Sequence, residues 1–546
     1  MRVPRRVETI GVTRGREIEA IPPARPQWRS WGGLGFGAIV AVFAFAFLRV
    51  HGLAGFSFPV PWPDESSFLW PAIAFQEHTT LFAPELNPER HVLWMPPAYA
   101  VAMGSIFKLT GFSLEWARML SAIFLLGALA FLAGAVRRFR FPFAMLIVLC
   151  LVFLGRYFVL MGNFARMESL LVLVIAAAAC ELARGRTLTA LALLLLGPLI
   201  HPNGAYPAAA MLLFAIGRFA REPDRQRPSA LALVLLAGVA FAWIAYAVYV
   251  AGHWDAFQHD MHYQVSWKGQ PGPLEAAFWS RWVSPARLVT TAILLAMYGA
   301  GAALHSPAAP LLVLAIPLHL LPIAPGDWYY EIYDGLVFAF VAIVMMDLVG
   351  RGLDRRRGDH GGAGRIAAAG CFAVAALSGA ALGWIENFVG YPQSMQVAGM
   401  RIAADEKYID AADQRAVRAF LVDEVREAER RPARAAGSPI TVRFFPWADA
   451  LLFHDLRSER LRFIHPTFCT ADADIGITHL SRLVPNMPGF FRRERMTKRV
   501  ADFPRIHVRN ETEQWLYERD PAPVTHGRIP PQRTRESRPA APRTGS

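Results

Sequence analysis

The chain has 546 residues, 54% of them hydrophobic and 18% charged, a balance that excludes an ordinary soluble domain. Its net charge of +13 does not describe a nucleic-acid surface, because the arginines lie between apolar segments and not together on one folded face. The four cysteines make no disulfide framework: Cys150, Cys180 and Cys371 sit inside apolar stretches, and Cys469 stands alone in the polar C-terminal part.

Residues 1–31 form a basic N-terminus, too long before the first apolar segment to be a secretory signal. Further basic clusters follow at Arg137, Arg138 and Arg140, at Arg184 and Arg186, at 218–227 and at 351–365. They occupy alternate loops, which places them in the cytoplasm by the positive-inside rule. The predicted architecture is an α-helical polytopic membrane protein with a transmembrane region over 32–385. A first span at 32–51 leads into an outer loop, 52–116, with two helices lying on the membrane at 66–78 and 98–110. Spans follow at 117–136, 141–161, 169–183, 188–200, 205–216, 231–250, 288–304, 311–324, 332–349 and 366–385, about eleven in all. An odd count starting inside puts residues 386–519 outside, as a soluble α/β domain with a helix over 401–431 and strands at 440–445, 461–464, 474–478, 506–509 and 515–518. The proline- and arginine-rich tail, 520–546, is too polar to bury a core and is expected to be disordered.

Ionisable groups are expensive near a bilayer, so their position is informative. Asp64 and Glu65 follow the first span. Arg166 and Glu168 open the fourth span, His201, Pro202 and Asn203 close the fifth, and Asp327 to Glu331 precede the tenth. All four groups fall at outer ends. Each has a plainer explanation taken singly: carboxylates after prolines cap helices, Arg166 with Glu168 makes an ion pair at a helix end, and Trp328 to Tyr330 anchor an interface. The loop 252–284, with His253, His259 and His262, reads as a lid over the acceptor side before it reads as a metal site, since no third ligand is fixed.

In order along the chain come Asp64-Glu65, Trp94-Met95-Pro96-Pro97-Ala98-Tyr99, Glu115-Trp116-Ala117-Arg118, Ala165-Arg166-Met167-Glu168-Ser169 and His201-Pro202-Asn203-Gly204. In this set the chain resembles the polyprenyl-phosphate-sugar-dependent glycosyltransferases of the GT-C superfamily, the group of the protein O-mannosyltransferases and the lipid A aminoarabinose transferases. Met95 stands where many members carry His or Lys, so no basic residue of that loop is carried over.

The resemblance implies an enzyme of the plasma (inner) membrane, its N-terminus cytoplasmic and its C-terminal domain outside. It would move a sugar with inversion from a polyprenyl-phosphate donor to a glycan, lipid or protein acceptor, with no nucleic-acid partner. Asp64 would be the base toward an acceptor hydroxyl, and Glu65 would orient the acceptor or ligate a cation. Arg166 and His201 would neutralise the leaving phosphate, with hydrogen bonds from Tyr329 and Tyr330. Glu168 would hold Arg166 or join the acceptor pocket, and Trp94 and Tyr99 would orient the acceptor. Oxygen ligands from Asp64, Glu65 and Glu168 would suit Mg or Mn. The alternative is a transporter or flippase of a lipid-linked or sugar substrate. Against it stand the crowding of polar groups at one side and the absence of a repeated half.

Overall fold

A computed structural model describes residues 35–45, 63–82, 93, 95–155, 158, 161–162, 164–221, 228–268, 285–321 and 331–355. In the C-terminal part it describes 394–397, 400–403, stretches within 418–426, 439–445, 447–458, 460–464, 475–479, 498–499 and 514–518. The expected span at 366–385, the strand at 506–509, the tail, and residues Trp94, Tyr329 and Tyr330 lie outside the described residues.

The described helices are α1 (Gly35–Phe45), α2 (Pro63–His78), α3 (Ala98–Thr110), α4 (Leu114–Val136), α5 (Pro142–Phe153), α6 (Met167–Ala183) and α7 (Thr187–Leu194). They continue with α8 (Gly197–Ile200), α9 (Ala205–Arg221), α10 (Ala230–Gly252), α11 (Trp254–Lys268), α12 (Pro285–Ala303), α13 (Leu312–His319) and α14 (Glu331–Arg355). Local chemistry sets their ends. Pro63 opens α2, where a missing N–H costs nothing, and Asp64 and Glu65 follow in its first turn, which suits the helix dipole. Gly111 closes α3 at φ 75°, its N–H bonded to the Phe107 carbonyl. The Ser113 and Ser229 hydroxyls cap α4 and α10 by accepting from the amides of Trp116 and Ala232.

Three of these helices, Leu114–Val136, Ala230–Gly252 and Ile332–Gly352, are long and apolar enough to cross a membrane. The surface of α10 gives the same message, with Leu233, Val234, Phe241, Ile244 and Val248 exposed. A helix apolar on every side and left uncovered by protein belongs in lipid. The protein is membrane-embedded and mostly helical.

Helices α4 and α6 run parallel and close together. A Cβ on Gly127 would stand 2.9 Å from Leu173, and one on Gly134 would stand 3.4 Å from Cys180. Two small residues seven apart on α4 therefore admit α6 along one face. Helices α2 and α3 form a tighter hairpin: a Cβ on Gly104 would lie 2.5 Å from the Ala72 carbonyl oxygen.

The two ends of the bundle differ. At one end Glu181 pairs with Arg184 and Arg186, and Arg218 donates to the Thr187 hydroxyl. Buried Asp347 accepts there from the Arg140 amide, the Ser306 hydroxyl and Arg351. At the other end lie the first turns of α2, α4 and α6.

In the C-terminal part, β1 (Ser394–Val397) and β2 (Met400–Ala403) form an antiparallel hairpin. Five strands, β3 (Ile440–Phe445), β4 (Leu461–Ile464), β5 (Ile475–His479), β6 (Lys498–Arg499) and β7 (Gln514–Glu518), form a mixed sheet in the order β4-β3-β5-β7-β6. A 3-10 segment, Trp447–Leu456, follows β3.

Some expectations are corrected. The helix expected over 401–431 gives way at its start to β2, where a close partner strand two residues upstream wins over the helical spacing of its apolar residues; described helical residues lie within 418–426. The loop expected at 252–284 holds helix α11. The span expected at 188–200 is interrupted at Leu195-Leu196, between α7 and α8, just ahead of Gly197-Pro198. The membrane-lying helix expected from Ser66 begins three residues earlier, so Asp64 and Glu65 belong to its first turn.

Candidate active site

Glu65 is fully buried, and its carboxylate is engaged on both oxygens. Arg118, equally buried at the head of α4, donates from Nε to Oε1 at 2.9 Å and from Nη2 to Oε2 at 2.7 Å. The Ala165 amide donates to Oε1 at 2.8 Å. This two-pronged pair ties α2 to α4 and to the turn that enters α6. The Phe164 ring lies 5.6 Å from the Arg118 guanidinium.

A second buried pair stands beside it. Arg166, in extended backbone just before α6, donates to Glu168 Oε1 from Nη2 at 2.7 Å and to Oε2 from Nε at 3.2 Å. The extended φ and ψ of Arg166 let its side chain fold back over the first helical turn, which is how residues two apart can pair. Its guanidinium lies 4.9 Å from the Phe68 ring, and Phe68 meets Tyr99 edge-on at 6.5 Å. His201 joins from the α8 turn, its Nε2 3.9 Å from Glu168 Oε1. Its Nδ1 accepts from the Asn203 amide at 3.0 Å, which assigns the ring proton to Nε2 on the side of Glu168. That turn depends on Gly204, where a Cβ would fall 2.2 Å from the Gly197 carbonyl carbon.

Next to these pairs is a small pocket lined by Ser67, Phe68 and Pro71 of α2, Leu93, Met95, Pro96 and Pro97, Tyr99 of α3, Met167 of α6, and Tyr246 and Tyr249 of α10. Its walls are chiefly apolar and aromatic, and the three prolines offer no N–H. The Tyr99 hydroxyl is buried, with the Ser121 side chain as its polar neighbour. Asp260, buried on α11, accepts from the Leu93 amide at 2.7 Å and fastens that helix to the pocket's edge.

Of the residues expected in the site, Glu65, Arg166, Glu168, His201 and Tyr99 are thus brought to one end of the bundle. Asp64 is the second residue of α2. Two residues were missed. Arg118 enters the sequence reading only within the Glu115-Trp116-Ala117-Arg118 run, with no role of its own, and Asp260 lies in the 252–284 loop; the fold reveals what each holds. Glu65 and Glu168 each hold an arginine, so they do not fit a divalent cation. No group of three metal-ligating side chains occurs among the described residues.

No family model matches the chain, and no curated protein matches it by sequence. Among solved structures it is similar to ArnT of Cupriavidus metallidurans bound to undecaprenyl phosphate, at 13% identity and a TM-score of 0.46, covering 89% of this chain and 97% of that one. The apo form of ArnT gives 14% identity and the same TM-score of 0.46, over 81% and 93% of the two chains. The archaeal oligosaccharyltransferase AglB of Archaeoglobus fulgidus, in complex with an inhibitory peptide and a dolichol-phosphate, gives 13% identity and a TM-score of 0.37, over 82% and 70%.

Proposed function

We propose that the protein is a membrane glycosyltransferase that moves a sugar, with inversion, from a polyprenyl-phosphate donor to an acceptor hydroxyl on the outer side of the membrane. The observation that carries this reading is the meeting of two buried arginine–carboxylate pairs and His201 beside an apolar, aromatic pocket at one end of the bundle. Fixed positive groups in a dry setting are what a departing phosphate needs, and an apolar wall suits the lipid attached to it.

In this reading Asp64 takes the proton of the acceptor hydroxyl as the oxygen attacks the anomeric carbon. The bond from that carbon to the phosphate oxygen breaks, and its electron pair leaves with the polyprenyl phosphate. Arg166 and the Nε2–H of His201 meet the charge that develops on the phosphate, with Tyr329 and Tyr330 as further donors. Glu168 holds the Arg166 guanidinium in place, and Tyr99 and Trp94 orient the acceptor. Glu65, taken up by Arg118 and the Ala165 amide, fixes the turn of α2 that bears Asp64.

The test is transfer from a polyprenyl-phosphate-sugar in membranes containing wild type, Asp64→Asn or Arg166→Ala at equal protein levels. Removal of a general base is expected to lower the rate by about 10²- to 10⁴-fold. Unchanged transfer in both variants overturns the assignment.

A further inference from the structure

The α2–α3 hairpin carries Glu65, Ser67, Phe68 and Tyr99, so its placement decides the geometry of the proposed site. Glu65 anchors one end of α2. The other end is gripped by the C-terminal part of the chain: Arg457 Nη1 donates to both oxygens of Glu77, at 2.6 Å to Oε1. His454 stands with Nε2 3.8 Å from the same oxygen. Its ring packs edge-on against Trp70 of α2 at 5.9 Å and against Phe112, just past α3, at 4.8 Å. Both helices of the hairpin are therefore held by one short segment, Trp447–Leu456 with Arg457, that follows β3.

A second feature makes that grip matter. Pro71 lies inside α2. It has no N–H for the Ser67 carbonyl, so the hydrogen-bond ladder is interrupted midway and does not by itself fix the angle between the two halves. Glu65 and Glu77 are twelve positions apart, about 18 Å along the axis. Packing of Gly104 on Ala72 and the Lys108 to Thr79 bond join α2 to α3 but tie the hairpin to nothing else.

We infer that Arg457 and Glu77 are positioning residues: the C-terminal sheet unit, through this pair, sets the α2–α3 hairpin and with it the register of Glu65 on Arg118 and the Ala165 amide. The effect on transfer rests on the glycosyltransferase reading; the effect on the hairpin does not. The Ala165 amide is a reporter, because it donates to Glu65 at the far end of α2 from the clamp.

Hydrogen exchange of the 164–168 segment is measured in the full-length protein in lipid nanodiscs for wild type, Arg457→Glu, Glu77→Arg, the exchanged pair Glu77→Arg with Arg457→Glu, and the milder Arg457→Gln. Each single change is expected to speed exchange at Ala165 at least tenfold, and the exchanged pair to restore it to within about threefold of wild type. Exchange that quickens only at the end of α2 and within 447–457, leaving Ala165 unchanged, overturns the inference, as does failure of the exchanged pair to restore what the single variants lose. Should a charge-reversed variant not fold, Arg457→Gln decides on the same criterion. Sugar transfer measured in parallel is expected to fall and recover with exchange at Ala165. A wild-type protein without transfer strikes the proposed function and leaves the exchange result to decide the clamp.

Discussion

Glu65 and Arg118 have no exposure between them, so neither charge meets water and each faces the other. Removing one partner leaves an uncompensated ion, which costs about 3 to 5 kcal/mol, whereas replacing both with apolar side chains of similar size is close to neutral. Arg118→Leu is therefore expected to lower the unfolding midpoint in detergent sharply, and Glu65→Leu with Arg118→Leu to recover most of the loss. A midpoint for Arg118→Leu equal to wild type would show that the pair is not buried in the membrane-embedded protein. The residues of this site were unevenly legible in sequence. Asp64, Glu65, Arg166, Glu168 and His201 stood out because charge at the edge of an apolar stretch is rare. Arg118 was only one residue of a longer run, with no role of its own, because its partner lies 53 positions away. Asp260 contacts Leu93 across 167 positions, a relation no local pattern contains.

Among helices, the close contacts are carried by glycine, but not all are equally strict. At Gly104 an added methyl meets backbone, the Ala72 carbonyl oxygen at 2.5 Å, which cannot turn aside. At Gly127 it meets only the end of the Leu173 side chain at 2.9 Å. Gly104→Ala is thus expected to cost about 1 to 3 kcal/mol by forcing α2 from α3. Gly127→Ala should be near neutral, with helix propensity offsetting a small rotamer shift. Thermal unfolding of both variants in the same detergent checks the contrast, and equal losses would contradict it. Helix boundaries were mostly legible, because Pro63, Pro97, Gly111, Ser113 and Ser229 punctuate the chain where the backbone needs them. The β1–β2 hairpin was not: Ile402 and its neighbours carry helical spacing, and pairing with 394–397 decides the matter.

At the scale of the whole molecule, the junction between the C-terminal unit and the hairpin should respond to acid. His454 is pushed down to about 4, first by burial and then by the Arg457 charge. An undocked histidine titrates near 6.5, so the docked state binds fewer protons between these values. Docking is full above about pH 6.5 and weakens progressively as pH falls toward 4. Asp455, held below the usual carboxylate range chiefly by hydrogen bonds from Arg418, stays ionised across this window and does not mask the effect. Proteolytic sensitivity of the 447–458 segment should therefore rise over that interval in wild type and rise less in His454→Phe; parallel profiles would remove His454 as the cause. The opposite end of the bundle carries a consequence of another kind. Asp347 is fully buried in the last described membrane helix, and its partners are Arg140, from between α4 and α5, Ser306, from between α12 and α13, and Arg351. A carboxylate of that kind has no acceptable surroundings until the earlier helices have already gathered. The Asp347 carboxylate is therefore satisfied only where Arg140 and Ser306, both from earlier in the chain, already stand beside α14, and a chain that stops short of α14 leaves the Arg140 amide and the Ser306 hydroxyl without this acceptor.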